Sequence, residues 1–182
     1  MAGGIGSRFW PMSTPECPKQ FIDVLGCGRT LLQLTADRFK RICFPENIWV
    51  VTSEAYADIV REQLPEIPES NILKEPCRRN TAPCIAYVSW RIKKLNPKAN
   101  VVVTPSDHIV MDVAEFERVI TSGLAFTAET DSILTLGMKP NRPETGYGYI
   151  QIAEPAGDNF YKVKTFTEKP ELELAKVFVE SG

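Results

Sequence analysis

The chain has 182 residues, 43% of them hydrophobic and 24% charged, and a formal net charge of −2. This is ordinary globular composition with enough length for one sizeable core, and it offers no overall attraction to nucleic acid or to an anionic membrane. No apolar run approaches the roughly 20 residues of a membrane span, and five cysteines without a Cys-x-x-Cys pair, beside a single histidine, read as reduced thiols in a cytosol.

In chain order, a glycine-rich opening is followed by a helical pattern at 31–42, an apolar strand at 47–52 and a helical pattern at 54–64. A strand at 71–75, a helix at 81–95, a strand at 100–104, a helix at 112–129 and a strand at 132–137 continue the alternation, which predicts an α/β fold with a mostly parallel sheet flanked by helices. After Pro140 the rhythm changes. Strands at 147–152 and 161–168 have no long helix between them and are expected to pair antiparallel as a sheet extension, before a final helical pattern at 172–179. Both ends read as cut. A glycine-rich turn of this kind follows the first strand of such a sheet, yet only Met1 precedes it, and the last helix ends bare.

Three segments carry chemistry. In Ala2-Gly3-Gly4-Ile5-Gly6-Ser7-Arg8, the glycines permit positive φ and close approach of backbone N–H groups to an anion, and Arg8 adds a fixed positive fork. The dinucleotide-binding G-x-G-x-x-G is ruled out by Phe9 at its third glycine, and the Walker pattern by the absence of any Gly-Lys. Glu75-Pro76-Cys77-Arg78-Arg79-Asn80-Thr81-Ala82-Pro83 spans a strand end and a helix start, where ligands gather in open α/β sheets; Asn80 or Thr81 also suits a helix cap. The third segment, 101–108, is an apolar strand ending in Pro105-Ser106-Asp107-His108. Asp107 is the candidate metal ligand, since a carboxylate at a strand's carboxyl end can hold Mg²⁺ against phosphate oxygens.

With Arg8-Phe9-Trp10-Pro11 followed by Pro18-Lys19-Gln20-Phe21, the sequence resembles the nucleotidylyltransferases that activate sugar phosphates, and Glu75 to Pro83 is similar to the GTP-using, mannose-1-phosphate guanylyltransferase branch. The resemblance implies a Rossmann-like mixed sheet of the nucleotide-diphospho-sugar transferase type in a single domain, 1–182, with a nucleotide-binding part over 1–140 and the start of a sugar-binding part over 141–182. It also implies roles. Arg8, Lys19 and Asp107 would act on the phosphates, with Mg²⁺ on Asp107, and Ala2, Gly3, Gly4, Gly6, Ser7, Glu75, Asn80, Thr81, Ala82 and Ser106 would bind the nucleotide. Glu75 suits guanine, whose N1–H and exocyclic amine are two adjacent donors that one carboxylate accepts.

Pro143-Glu144-Thr145-Gly146-Tyr147-Gly148-Tyr149-Ile150 and Phe166-Thr167-Glu168-Lys169-Pro170 match the family's sugar-pocket segments, so Glu144, Gly146 and Glu168 would contact hydroxyls and Lys169 the sugar phosphate. The implied reaction transfers GMP from GTP to mannose 1-phosphate, giving GDP-mannose and pyrophosphate by direct in-line attack on the α-phosphorus. Another hexose 1-phosphate, or a non-catalytic sugar-nucleotide-binding regulatory subunit, are the alternatives. A cytoplasmic protein without nucleic-acid or membrane partners is expected, and a homo-oligomer is left open.

Overall fold

Two four-residue strands that each open on two apolar residues, β1 (Val50–Ser53) and β2 (Ile72–Glu75), align in parallel, with Val50 opposite Ile72 and Ser53 opposite Glu75. Successive side chains of a strand point to opposite faces, so Val50 and Ile72 enter one core cluster with Leu32, Ala36, Val60 and Leu64, whereas Val51 and Leu73 enter another with Cys84 and Val88. The first cluster lies under α1 (Leu31–Phe39) and α2 (Ala57–Gln63), the second under α3 (Thr81–Leu95). Helices on both faces of a parallel sheet are the α/β layering that the alternation predicts.

This computed structural model describes residues 1–4, 9–76 and 80–181. It divides into two units, Met1–Ile133 and Leu134–Gly182. In the first, helix starts are set by local chemistry. Thr30 and Gln33 form a reciprocal capping box at the head of α1, and the Asp112 carboxylate accepts from the Glu115 amide at 2.9 Å to begin α4 (Val113–Glu129). The helix expected at 54–64 is split into a 3-10 turn, Glu54–Tyr56, and α2. The turn sends the buried Tyr56 ring against Phe21, centroids 5.6 Å apart, while its hydroxyl donates to the Pro15 carbonyl at 2.7 Å.

Two expected strands do not form. Segment 100–104 has no ladder partner among the described residues: the Met1 ammonium donates to the Thr104 carbonyl at 3.0 Å, and the Ser106 amide donates to the Met1 carbonyl at 3.3 Å. A cavity of about 650 Å³ lies there, with Val50, Val51, Val101 and Val103 among its lining residues. A strand is a property of pairing rather than of propensity, so an apolar run without a neighbour forms no ladder. The same holds at 132–137, where Ile133 is fully exposed.

In the second unit, β3 (Tyr149–Gly157) and β4 (Phe160–Thr167) pair antiparallel as expected, with Tyr149 opposite Thr167. They form a two-stranded sheet of their own and do not extend the parallel one. Asn159 takes positive φ in the turn between them, and α5 (Leu172–Ser181) follows, its Phe178 ring 5.2 Å from that of Tyr149. Among the described residues no helix is long and apolar enough to cross a membrane, and Cys17, Cys27, Cys43 and Cys84 carry free thiols.

Candidate active site

The Ala2 amide donates to the Val51 carbonyl at 2.8 Å, which carries the first residues of the chain alongside β1 toward the carboxyl edge of the sheet. The Ala2 carbonyl accepts from Thr52 Oγ1 at 3.1 Å and from Gln20 Nε2 at 3.0 Å, and the same Gln20 amide donates to the Gly4 carbonyl at 2.8 Å. Gln20, 3% exposed on the 3-10 turn Lys19–Phe21, thus clamps the backbone on either side of Gly3. Residue-type reasoning reads Pro18-Lys19-Gln20 for its cation and passes over the amide. Its signal is a carboxamide with two donors close in sequence to a glycine-rich stretch.

Gly3 and Gly4 do not occupy the left-handed region; among the described glycines only Gly26, Gly28 and Gly157 have positive φ. Gly3 matters for closeness. A Cβ there would stand 3.2 Å from Glu75 Oε2, so the carboxylate at the end of β2 rests directly against the glycine loop. Behind it, the buried Cys84 thiol is pushed up by burial and further by the charge and hydrogen bond of Glu75. Gly6, Ser7 and Arg8, like Cys77, Arg78 and Arg79, lie outside the described residues.

Asn80 stands at the N-cap of α3 with φ of 66° and makes no side-chain cap bond, so capping does not account for it. Thr81 and Ala82 are exposed in the first helical turn, where unpaired amides and the helix dipole favour an anion.

Ser106 is 4% exposed, and its hydroxyl donates to the Met1 carbonyl at 2.8 Å, tying the 105–108 segment to the start of the glycine loop. The next residue, Asp107, pairs with Lys19, Nζ to Oδ2 at 2.7 Å, the two side chains 30% and 27% exposed for Lys19 and Asp107 respectively. His108 Nε2 lies 4.0 Å from Asp107 Oδ1. Burial pushes the Met1 ammonium down, against the opposing pull of Cys84, Asp107 and Glu75. Glycine loop, Glu75, Lys19 and Asp107 therefore share one edge of the sheet.

Among the described residues no cluster of three or more metal-ligating side chains forms. The site does hold one partly exposed carboxylate already facing a cation, the Lys19 ammonium. That donor set fits Mg²⁺, which keeps waters and shares phosphate oxygens with its substrate, and does not fit an all-protein cage.

The second unit gathers its own polar set. A Cβ on Gly146 would lie 3.6 Å from Glu144 Oε1, and one on Gly148 would lie 3.0 Å from Glu168 Oε2, so both carboxylates flank the Gly146-Tyr147-Gly148 turn. The Glu144 amide donates to the Tyr149 hydroxyl at 2.9 Å, and Lys169, at φ 39°, places its Nζ 2.6 Å from Glu168 Oε1. Glu144, Gly146, Glu168 and Lys169 are thus neighbours, brought together by the pairing of β3 with β4.

The family model described as nucleotidyl transferase matches residues 1–182. The chain belongs to the nucleotidyl transferase family. It is 39% identical over 191 residues to mannose-1-phosphate guanylyltransferase of Escherichia coli strain K12, covering 100% of this chain and 39% of that protein. Xanthan biosynthesis protein XanB of Xanthomonas campestris pv. campestris strain B100 is 38% identical over 184 residues, again with 100% of this chain and 38% of the other. Among solved structures, mannose-1-phosphate geranyltransferase from Thermus thermophilus superposes with a TM-score of 0.88 at 32% identity, over 100% of this chain and 52% of that one. This nucleotidyl transferase chain therefore spans about two fifths of the length of the curated relatives it matches. The likeness in fold extends over the whole of this chain.

Proposed function

We propose that this nucleotidyl transferase moves GMP from GTP to mannose 1-phosphate, releasing pyrophosphate and forming GDP-mannose. The observation that carries the reading is the Glu75 carboxylate resting on Gly3 at the mouth of the glycine loop. A base stacked at that edge meets an acceptor pair suited to the N1–H and exocyclic amine of guanine, while its phosphates run toward Lys19 and Asp107.

An oxygen of the sugar phosphate attacks the α-phosphorus; the new P–O bond forms as the bond to the β-phosphate oxygen breaks, and pyrophosphate carries away the electron pair. No protein nucleophile is required, and the work is positioning and charge neutralisation. Asp107 would hold Mg²⁺, which when bound draws charge from the phosphate oxygens. Lys19 supplies positive charge beside the reacting phosphate, Arg8 and the loop amides bind the triphosphate, and Asn80, Thr81 and Ala82 receive phosphate or ribose at the head of α3. Glu144 and Glu168 accept sugar hydroxyls and Lys169 binds the sugar phosphate, since each carboxylate can take two hydroxyl donors. GTP, Mg²⁺ and free thiols at the described cysteines agree with a cytoplasmic site of action.

Pyrophosphate release, measured on the intact protein across GTP, UTP, dTTP and CTP with a panel of hexose 1-phosphates and Mg²⁺, tests the proposal. GTP with mannose 1-phosphate is expected to be the most active pair. No release from that pair overturns the assignment.

A further inference from the structure

Arg38 sits on α1, outside every segment that the sequence marks as chemical, and only 5% of it is exposed. Its Nη1 donates to the His108 carbonyl at 3.0 Å, and its Nη2 donates to Thr35 Oγ1 at 3.1 Å. The guanidinium carbon stands 5.5 Å from the centre of the Phe116 ring on α4. Among the described residues no carboxylate pairs with it, its Nε has no hydrogen-bond partner, and burial pushes its pKa down. A buried cation without a counter-charge is unfavourable, and a well-packed apolar side chain of similar size is commonly as stable or more so. What the charge provides is a charge-assisted bond to one carbonyl, stronger than a neutral one. That carbonyl belongs to the residue after Asp107.

We propose that Arg38 is a positioning residue that fixes the Asp107 carboxylate through the His108 carbonyl. Three successive residues of this segment are held from three directions: Ser106 by the Met1 carbonyl, Asp107 by Lys19 and His108 by Arg38. Engagement of a phosphate by Lys19 takes away the middle tie, and the Arg38 bond then keeps Asp107 aimed at the shared edge. The catalytic consequence rests on the reading of Asp107 as the metal-holding carboxylate, but the positional role does not.

Amide hydrogen exchange followed by NMR on the chain, without nucleotide or metal, tests the positional role. In Arg38→Met the Ser106 amide is expected to exchange about tenfold faster, while the amides of β1 and β2 are unchanged, because one charge-assisted bond is lost locally. Arg38→Lys keeps one charged donor and is expected to show a smaller local acceleration; it decides the matter if Arg38→Met does not fold. Unchanged exchange at Ser106, or equal acceleration there and in β1 and β2, overturns the proposal. The consequence for the site is read from His108, the single histidine of the chain. Mn²⁺ added with GTP is expected to broaden its ring signals, and to do so less in Arg38→Met; equal broadening in both would refute the link to Asp107. No broadening in the unsubstituted chain counts against metal binding by Asp107 and leaves the exchange result standing.

Discussion

Lys19 and Asp107, 88 positions apart in sequence, meet at 2.7 Å at the carboxyl edge of the sheet, each only partly exposed. Under the proposed function, metal and triphosphate would compete for the two partners of this pair, Asp107 turning to the cation and Lys19 to a phosphate.

The pair should therefore matter far more for turnover than for folding. A half-exposed ion pair is worth at most about 1 kcal/mol of stability. Loss of a positioned charge in a phosphoryl-transfer site costs roughly 100-fold or more in rate. Lys19→Met is expected to lower kcat of the intact protein by that order while its thermal midpoint moves by a few degrees. Near-normal turnover would remove Lys19 from the reaction.

Gln20 offers a test of the glycine-loop scaffold. Gln20→Ala removes a buried carboxamide that bonds the Ala2 and Gly4 carbonyls, although Ala2 keeps its bond from Thr52 Oγ1 and Gly4 is exposed to water. The expected loss is about 1 to 3 kcal/mol by urea denaturation, with weaker GTP binding because the loop is released. Unchanged stability would mean that the clamp contributes nothing net.

Base choice should follow the contact between Gly3 and Glu75. Inosine triphosphate lacks the exocyclic amine, so the unsubstituted protein is expected to prefer GTP, and Glu75→Gln to reduce that preference by roughly tenfold. Gly3→Ala pushes on Oε2 at 3.2 Å and should have a similar effect, partly relieved by shortening the side chain in Gly3→Ala with Glu75→Asp. Discrimination unaltered in both single variants would place guanine elsewhere.

Asp37 supplies a pH dependence of stability. Burial raises its pKa, but hydrogen bonds and charges from Lys40 and Arg29 outweigh this and leave it below the usual carboxylate range. A depressed carboxylate stabilises the fold above its unfolded pKa, near 4, and the gain disappears as pH falls through the lower folded value. Asp37→Asn should therefore cost about 1 kcal/mol at pH 7 and little at pH 2, as compared by denaturant unfolding at the two pH values. An equal difference at both would show that the charge is not responsible.

Local periodicity and motif spacing were enough to reveal the helix at Thr81–Leu95 with its observed limits, the apolar starts of β1 and β2 and the antiparallel hairpin of the second unit, because each depends on near neighbours in the chain. Lys19, Glu75 and Asp107 were singled out by motif spacing and by the family resemblance that it carries. Tertiary structure alone decided that 100–104 finds no ladder partner, that Gly3 serves by closeness to Glu75 instead of by positive φ, and that Gln20 and Arg38 hold the loops bearing those residues. Strand pairing and buried side-chain bonds link positions tens of residues apart. Their outcome is set by which groups lose water together, and that is not written in any local pattern.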